Sequence, residues 1–289
     1  MPLVSMKQML AAARRDGWAV AAFNPVDYGS MKAIITAATS LEAPVILQTS
    51  AKTVKFYGHE PIVSWARELV SASPAPIALH LDHGKDPKMI ARCIEAGWTS
   101  VMIDASDKPY EENLALTKEI TALANKRGVG VEAELGEIGG VEEDIIVAEG
   151  KEHTADVEQA LAFCREVDLA VFAPAIGTAH GFYKREPTIA WNVLEAISQR
   201  SGTPLALHGG TGLSNDVIQR CIGLGCAKIN ISTNLKHVFI DSFVTYHQEH
   251  PEEYEPLKPL AAQAAAVTAL ASEKIRQFGG AGKATSVGT

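Results

Sequence analysis

The sequence is poor in cysteine, and the spacing of the few that occur excludes cysteine-based sites. Its 289 residues include four, Cys93, Cys164, Cys221 and Cys226. No two of them form a C-x-x-C pair, which excludes a zinc knuckle and a redox dithiol. Because the four fall in helix-like segments, we interpret them as reduced packing residues.

The sequence also lacks long apolar runs and blocks of basic residues. No apolar stretch approaches the roughly 18 residues of a membrane span, and the start MPLVSMKQML lacks the layout of a signal peptide. We therefore expect a cytoplasmic protein that binds no membrane. The net charge of −8 without a basic cluster argues against nucleic acid as a partner. An anionic small molecule is compatible, because a metal or backbone amides can supply positive potential locally.

Eight short β-rich runs alternate with amphipathic helical stretches almost to the end of the chain. The runs cover residues 18–24, 44–50, 76–83, 100–106, 130–136, 169–181, 204–210 and 227–233. This alternation predicts a parallel sheet, and eight units predict an α/β fold of the (β/α)8 TIM barrel type. An extra N-terminal helix at 5–17 and a C-terminal helical extension at 259–280 complete it. The alternative is a doubly wound open sheet.

The chain shows no Pro/Gly/Ser-rich linker, so we expect a single barrel domain over residues 1–289. One long polar connection, residues 136–156, follows the fifth predicted strand without obvious structure. Loops of this kind are often functional lids, and an inert surface excursion is the alternative.

Ionisable residues end several predicted strands, where a barrel of this type carries its chemistry. The five are Asp82 and His83 on the third strand, Glu134 on the fifth, His180 on the sixth and His208 on the seventh. A lone histidine is more often a buried imidazole bonded to a carbonyl. Three at equivalent strand ends instead suit a borderline metal such as Zn2+, with a coordination position left open for substrate.

Glycines, hydroxyls and an amide follow the last two predicted strands. The segment HGGTGLS contains Gly209, Gly210 and Gly212, and NIST contains Asn230, Ser232 and Thr233. Glycine lets backbone amides approach an oxyanion closely, and this end of a barrel is the usual phosphate position. A tight turn would explain the glycines alone, but the polar strand end beside them favours a phosphate site.

A metal, a phosphate site and carboxylates together suggest aldol chemistry. A Lewis acid that chelates a ketone and its neighbouring hydroxyl stabilises the enediolate of a retro-aldol cleavage. Such a site needs two groups that move protons. Asp82 suits the hydroxyl proton, and its alternative role is to orient a histidine. Glu142 suits the carbon proton, although from the residues alone a solvated surface charge is the preferred interpretation.

Six motifs give the chain a resemblance to a known family. HLDHG, SVMIDAS, VEAELGEIGGVEED, AIGTAHGFY, LHGGTGLS and KINISTN resemble, in order and spacing, the class II zinc-dependent ketose-bisphosphate aldolases that cleave fructose or tagatose 1,6-bisphosphate. The resemblance covers about residues 21–279. It implies dihydroxyacetone phosphate and glyceraldehyde 3-phosphate as products.

The resemblance also implies a role for individual residues. His83, His180 and His208 match ligands of one zinc per subunit, and Glu134 matches an alternative metal ligand. Asp82 matches the acid/base at the aldehyde hydroxyl. Glu142 matches the loop glutamate that moves the proton at the dihydroxyacetone-phosphate carbon, which reverses the interpretation from the residues alone. Positions that match substrate contacts are Asn24, Ser50, Gly181, Gly209, Gly210, Thr211, Asn230, Ser232 and Thr233.

The identity of the sugar is left open by conflicting motifs. GTAHGFY, with Tyr183, is similar to the tagatose branch, whereas HGGTG is similar to the fructose branch. Candidate cations for the far phosphate are Lys184, Arg185, Lys274 and Arg276, the last two reaching from a neighbouring subunit. The resemblance further implies Na+ or K+ as a second cation and a homodimer or homotetramer. The alternatives are an aldolase for another ketose 1-phosphate and a non-catalytic phosphosugar-binding barrel.

Overall fold

A computed structural model describes residues 3–142, 145–147, 153–183 and 185–287, with the backbone alone at 141, 142 and 145–147. Its strands are β1 Val20–Phe23, β2 Val45–Ser50, β3 Ile77–Gly84, β4 Ser100–Ile103, β5 Gly130–Leu135, β6 Gly139–Glu142, β7 Ile145–Val147, β8 Val171–Pro174, β9 Ala179–His180, β10 Leu205–Leu207 and β11 Cys226–Ile231. Eight of these close into a parallel barrel in the order β1, β11, β10, β8, β5, β4, β3, β2. The closed sheet confirms the predicted barrel and excludes the doubly wound alternative.

Helices follow or precede the barrel strands and form the outer layer. They are α1 Met6–Asp16, α2 Tyr28–Ser40, α3 Ala51–Tyr57, α4 His59–Ser71, α5 Pro87–Ala96, α6 Tyr110–Asn125, α7 Val157–Glu166, α8 Trp191–Ser201, α9 Asn215–Gly223, α10 Thr233–Glu249 and α11 Leu257–Gln277. Local sequence fixes several ends. Asp27 and Ser30 form a capping box at the start of α2, and Gly97 ends α5 in the left-handed conformation.

The two predicted extra helices are both present. α1 lies under the barrel, where Met6, Met9 and Leu10 pack in one buried cluster with strand residues such as Val20 and Ile46. A backbone bond from Val4 N to Ile77 O ties its approach to the start of β3. α11 packs against α2 and α10. The opposite, C-terminal ends of the barrel strands stay available for a site.

Two expectations about chain segments were wrong. The run 169–181 is not one strand: β8 ends at Pro174, and a separate short strand, β9, carries His180. The connection 136–156 is not without structure, because β6 and β7 form an antiparallel hairpin and Glu137 bridges His153 near its base. β6 also pairs with β9, a contact between segments distant in sequence that strand patterns do not show.

All four cysteines are free thiols, and three of them are buried, as expected for packing residues. The expected helical placement is wrong for Cys226, which begins strand β11. Within the described part of the chain, every helix is too short or too polar to cross a membrane.

Candidate active site

Three histidines meet at the C-terminal rim of the barrel. His83 is the next-to-last residue of β3, His180 lies on β9, and His208 directly follows β10. One nitrogen from each ring lies within 4.8 Å of the others. The predicted meeting of the three is therefore a feature of the structure, although a loop strand, and not the sixth barrel strand, delivers His180.

Two carboxylates determine which ring nitrogens carry hydrogen. Asp104 Oδ2 lies 2.8 Å from His83 Nδ1, and Glu132 Oε1 lies 2.8 Å from His208 Nε2. An ionised carboxylate can only accept, so both of these nitrogens donate. The remaining nitrogens, His83 Nε2 and His208 Nδ1, face each other 3.0 Å apart. Two lone pairs cannot face each other at that distance unless a proton or a cation lies between them.

The residues present therefore fit a metal ion. Two imidazole nitrogens bound to one tetrahedral zinc, each at ~2.0–2.1 Å, lie about 3.3 Å apart, close to the observed separation. Burial, together with His83 and His208, lowers the pKa of His180 well below its usual range, so this ring is neutral, as a ligand must be. Burial lowers the pKa of His83, but Asp82 and Asp104 outweigh it and raise that pKa to about 10.

A second group of ligand atoms adjoins the first. His83, Asp104 and Glu134 offer atoms within 4.8 Å of one another, and Glu134 Oε2 lies 3.7 Å from His208 Nδ1. Burial and the charge of Asp104 raise the pKa of Glu134 well above its usual range. The raised pKa favours the neutral carboxyl of Glu134 in the absence of a cation, and a bound cation would favour its ionised form. The geometry is thus compatible with the alternative metal position expected for Glu134.

Asp82 is held by a chain of two amides. Asn24 Nδ2 donates to Asp82 Oδ2 at 2.8 Å, and Gln48 Nε2 donates to Asn24 Oδ1 at 2.9 Å. Burial raises the pKa of Asp82, but the charges of His83 and Lys228 outweigh it, and the pKa is lowered. Its second oxygen, Oδ1, is buried without a hydrogen-bond partner among the described residues. A fixed, ionised carboxylate with one open oxygen can act as a base.

The predicted phosphate side lies where β10 and β11 end. Gly209 adopts a φ of 66°, and a Cβ there would collide with the Ala179 carbonyl. A Cβ on Gly210 would lie 2.8 Å from Asn230 O, so glycine permits the close approach of the loop after β10 to strand β11. Ser232 Oγ is buried and has no partner in the described chain. The Ser232 hydroxyl can therefore donate to an anion at this end of the barrel.

The other predicted substrate contacts lie at the same end of the barrel. Ser50 ends β2 directly opposite Asp82 and caps α3, where its Oγ accepts from Thr53 N. Thr211 is buried, and its Oγ1 accepts from Asn234 N in the first turn of α10, which begins at Thr233. Gly181 follows His180 with a φ of 101°.

The predicted specificity residues do not all lie at this end of the barrel, and one of them is outside the described residues. Tyr183 donates its hydroxyl to Gly209 O at 2.7 Å, a bond between two loops of the site. Arg185 is exposed, and Lys184 lies outside the described residues. Lys274 bonds its neighbours Glu273 and Gln277, and Arg276 is exposed close by. Both lie near Phe278, whose carbonyl binds Ala19 at the start of β1, so within one chain they lie at the opposite end from the site.

Glu142 ends β6, next to the strand that carries His180, and its side chain lies outside the described residues. What the structure shows is the backbone attachment. Gly139 and Gly140 pair with Ala179 and His180, so the hairpin that carries Glu142 is joined to the histidine cluster.

Three charged residues of the site were not predicted from the sequence: Asp104, Glu132 and Lys228. Asp104 follows β4 and bonds His83, while Glu132 and Lys228 form a fully buried ion pair beneath His208. A signal existed for Glu132, because it stands two residues before Glu134 and therefore on the same face of β5. Lys228 Nζ donates to a carboxylate oxygen and an amide oxygen. These contacts argue against a role for Lys228 as a nucleophile that forms a Schiff base with substrate.

Comparisons with known proteins agree with this geometry. The sequence profile of the family "Fructose-bisphosphate aldolase class-II" matches residues 4–283. A 6-phospho-5-dehydro-2-deoxy-D-gluconate aldolase of Bacillus subtilis is 39% identical over 98% of each chain. A D-tagatose-1,6-bisphosphate aldolase subunit of Klebsiella oxytoca is 40% identical over 90% of this chain and 93% of its own. The crystal structure of the YdjI aldolase of Escherichia coli superimposes with a TM-score of 0.85 at 29% identity, over 98% of this chain and 99% of that one. The chain belongs to the class II fructose-bisphosphate aldolases, a family of aldehyde-lyases.

Proposed function

We propose that this protein is a zinc-dependent aldolase that cleaves a ketose 1,6-bisphosphate reversibly into dihydroxyacetone phosphate and glyceraldehyde 3-phosphate. The observation that carries the proposal is the histidine cluster. Three rings offer ligand atoms within 4.8 Å of one another, and the two nitrogens that face each other 3.0 Å apart need a proton or a cation between them. His83, His180 and His208 would hold one zinc ion, with Glu134 as an alternative ligand. When bound, zinc supplies Lewis-acid polarisation of the ketose carbonyl.

In this proposal Asp82 handles the proton of the hydroxyl that becomes the aldehyde. Its Oδ1 is buried and open, while Oδ2 is fixed by Asn24, so the base is oriented before substrate arrives. A lowered pKa keeps it ionised at neutral pH, ready to accept the hydroxyl proton. In the reverse direction the same carboxyl returns that proton.

Glu142 is proposed to move the proton at the carbon of dihydroxyacetone phosphate. Support comes from the backbone, since β6 pairs with β9 and so joins the Glu142 hairpin to His180. A carboxylate on a hairpin can approach the carbon after substrate binds, as lids commonly do.

The near phosphate is proposed to bind between the loops that follow β10 and β11. Gly181, Gly209 and Gly210 are proposed to contribute backbone amides, and Thr211, Asn230, Ser232 and Thr233 are proposed to contribute polar side chains. Ser232 Oγ and Asn230 Nδ2 are both buried without partners among the described residues, which supports a polar occupant. Asn24 and Ser50 are proposed to contact the sugar. A monovalent cation, Na+ or K+, stays a prediction of the resemblance.

The relatives act on different phosphosugars by their names, so the sugar is best decided by assay. Fructose and tagatose bisphosphate differ in configuration at one hydroxyl, and few contacts decide between them. We propose Lys184 and Arg185 as contacts of the far end, and Lys274 and Arg276 only from a neighbouring subunit. Tyr183 is proposed as a specificity residue. A coupled cleavage assay with both bisphosphates and with other ketose phosphates tests the proposal. Cleavage of at least one is expected, and cleavage of none by zinc-loaded protein would favour a non-catalytic binding barrel.

We further propose that the whole chain, 1–289, acts as one barrel domain, in the cytoplasm, as a homodimer or homotetramer. The exposed apolar side chains Ile240, Phe243 and Val244 share one face of α10 and support association with a second copy. Light scattering on the protein and on Phe243→Glu tests this. An unchanged oligomer in the variant would assign the interface to another surface.

A further inference from the structure

A buried ion pair lies across the interior of the barrel, below the proposed zinc ligands. Lys228 Nζ on β11 lies 2.9 Å from Glu132 Oε2 on β5, and neither side chain has any exposed surface. The two strands are not neighbours in the barrel, because β8 and β10 stand between them. The pair therefore crosses the lumen. Burying two charges is costly, and a buried pair is often no more stabilising than an apolar one, so stability alone does not explain it.

The carboxylate end of the pair acts on a proposed metal ligand. Glu132 Oε1 lies 2.8 Å from His208 Nε2. Lys228 Nζ lies 3.2 Å from this oxygen and 2.9 Å from the other, and the adjacent ammonium favours the ionised form of Glu132. An ionised Glu132 accepts only, so His208 must carry its hydrogen on Nε2 and keep a lone pair on Nδ1, the atom that faces His83.

The ammonium of Lys228 contacts a residue that is proposed to bind the substrate. Lys228 Nζ lies 2.8 Å from the side-chain amide of Asn230. A lysine ammonium only donates, so the amide atom that faces it must be the oxygen. The amide nitrogen of Asn230 is thereby directed away from Lys228, and it is buried with no partner in the described chain. The orientation of this amide is fixed by charge before any ligand binds.

We propose that Glu132 and Lys228 are positioning residues that together preset His208 for metal and Asn230 for the substrate phosphate end. This inference rests on the proposed function for the identity of metal and substrate. This role explains why two charges lie in the lumen. The carboxylate can only accept a hydrogen bond and the ammonium can only donate one, so each fixes the orientation of its partner. An apolar side chain or an amide, which can both donate and accept, would not fix it. His80 supports the pair, since its Nδ1 bonds Ser100 and its Nε2 lies 3.3 Å from Glu132 Oε2.

The test separates the two ends of the pair. In Glu132→Gln the new amide can present a donor to His208 and permit the wrong tautomer, so zinc affinity, measured by chelator competition, should fall about 10- to 100-fold. The KM for dihydroxyacetone phosphate of the zinc-saturated variant, assayed in the condensation direction, should change little. In Lys228→Met the amide of Asn230 loses its partner, so this KM should rise about 3- to 10-fold.

Two further variants control for damage to the fold. The double variant Glu132→Gln with Lys228→Met leaves no unpaired charge and is expected to fold and to show both effects. Lys7→Met removes the lysine of an exposed pair with Asp168 and should show neither. Wild-type zinc affinity in Glu132→Gln together with wild-type KM in the double variant would overturn the inference. Zinc affinity needs no turnover, so weak zinc binding by Glu132→Gln in a protein that cleaves no ketose phosphate would refute the proposed function alone.

Discussion

Replacing Asp82 by asparagine tests the proposed base with little change of shape. Asn24 Nδ2 donates to Asp82 Oδ2, and this donor would hold the oxygen of the new amide in the same place. The amide nitrogen of the variant would then occupy the position of Oδ1, the open oxygen. A donor that cannot take up a proton would stand where the base is needed.

The expected loss follows from the role of a positioned base. General acid–base catalysis typically contributes about 10²- to 10⁴-fold, so kcat should fall by that factor, or about 2.7–5.4 kcal/mol of activation free energy. Asp82 belongs to neither of the two groups of described residues that could hold a metal ion. Zinc affinity should therefore fall by less than the ~10-fold minimum typical for partners of metal ligands.

The assay is cleavage of the best ketose bisphosphate at saturating zinc, beside zinc affinity by chelator competition. Asp168→Asn is the matched control, because Asp168 is an exposed carboxylate paired with Lys7 and should keep wild-type kcat. A kcat for Asp82→Asn within tenfold of wild type would refute the proposal that Asp82 is the general base. Loss of zinc with retained fold would assign Asp82 to orienting the metal ligands.

The raised pKa of His83 and two close-packed glycines of the site lead to further predictions. The raised pKa of His83, about 10 against 6.5 for the free side chain, keeps the metal-free ring protonated at pH 8. Zinc should therefore release about one proton, measured by calorimetry in two buffers, and no release would contradict the shared site. The protonated ring also stabilises the metal-free fold below pH 6.5, an effect that should vanish as pH rises through 10. In Gly140→Ala, with a φ of 95°, the new Cβ would collide with the His180 backbone and detach the Glu142 hairpin. Proton exchange at dihydroxyacetone phosphate should slow on the order of 10²-fold, and an unchanged rate would contradict the pairing. Gly210→Ala places a Cβ 2.8 Å from Asn230 O and should destabilise the protein by about 1–3 kcal/mol in denaturant while raising KM, and wild-type values of both would contradict the close approach.

The sequence was sufficient for those features that strand geometry imposes. Parallel strands in a barrel end on the same rim, so Asp82, His83 and His208 could be expected to meet without any knowledge of contacts. The helix under the barrel was also predictable, because apolar spacing and a final glycine mark α1 locally.

What the sequence did not reveal depends on contacts across the fold. Glu132 and Lys228 are 96 positions apart, and a charge inside a strand looks anomalous until its partner across the lumen is known. The hairpin β6–β7 rests on pairing with β9, which no local pattern encodes. His180 was assigned to the rim correctly but by the wrong route, since the chain leaves β8 at Pro174 and returns in a separate strand.

The most direct test of the central claim is to titrate zinc into chelator-treated protein and follow ketose-bisphosphate cleavage. Activity should be absent at the start, rise in proportion to added zinc and reach its maximum at about one zinc per chain, since one group of three histidines is proposed to hold it. The variant His180→Gln, titrated in parallel, should need far more zinc. Full cleavage by the metal-free protein would contradict the account.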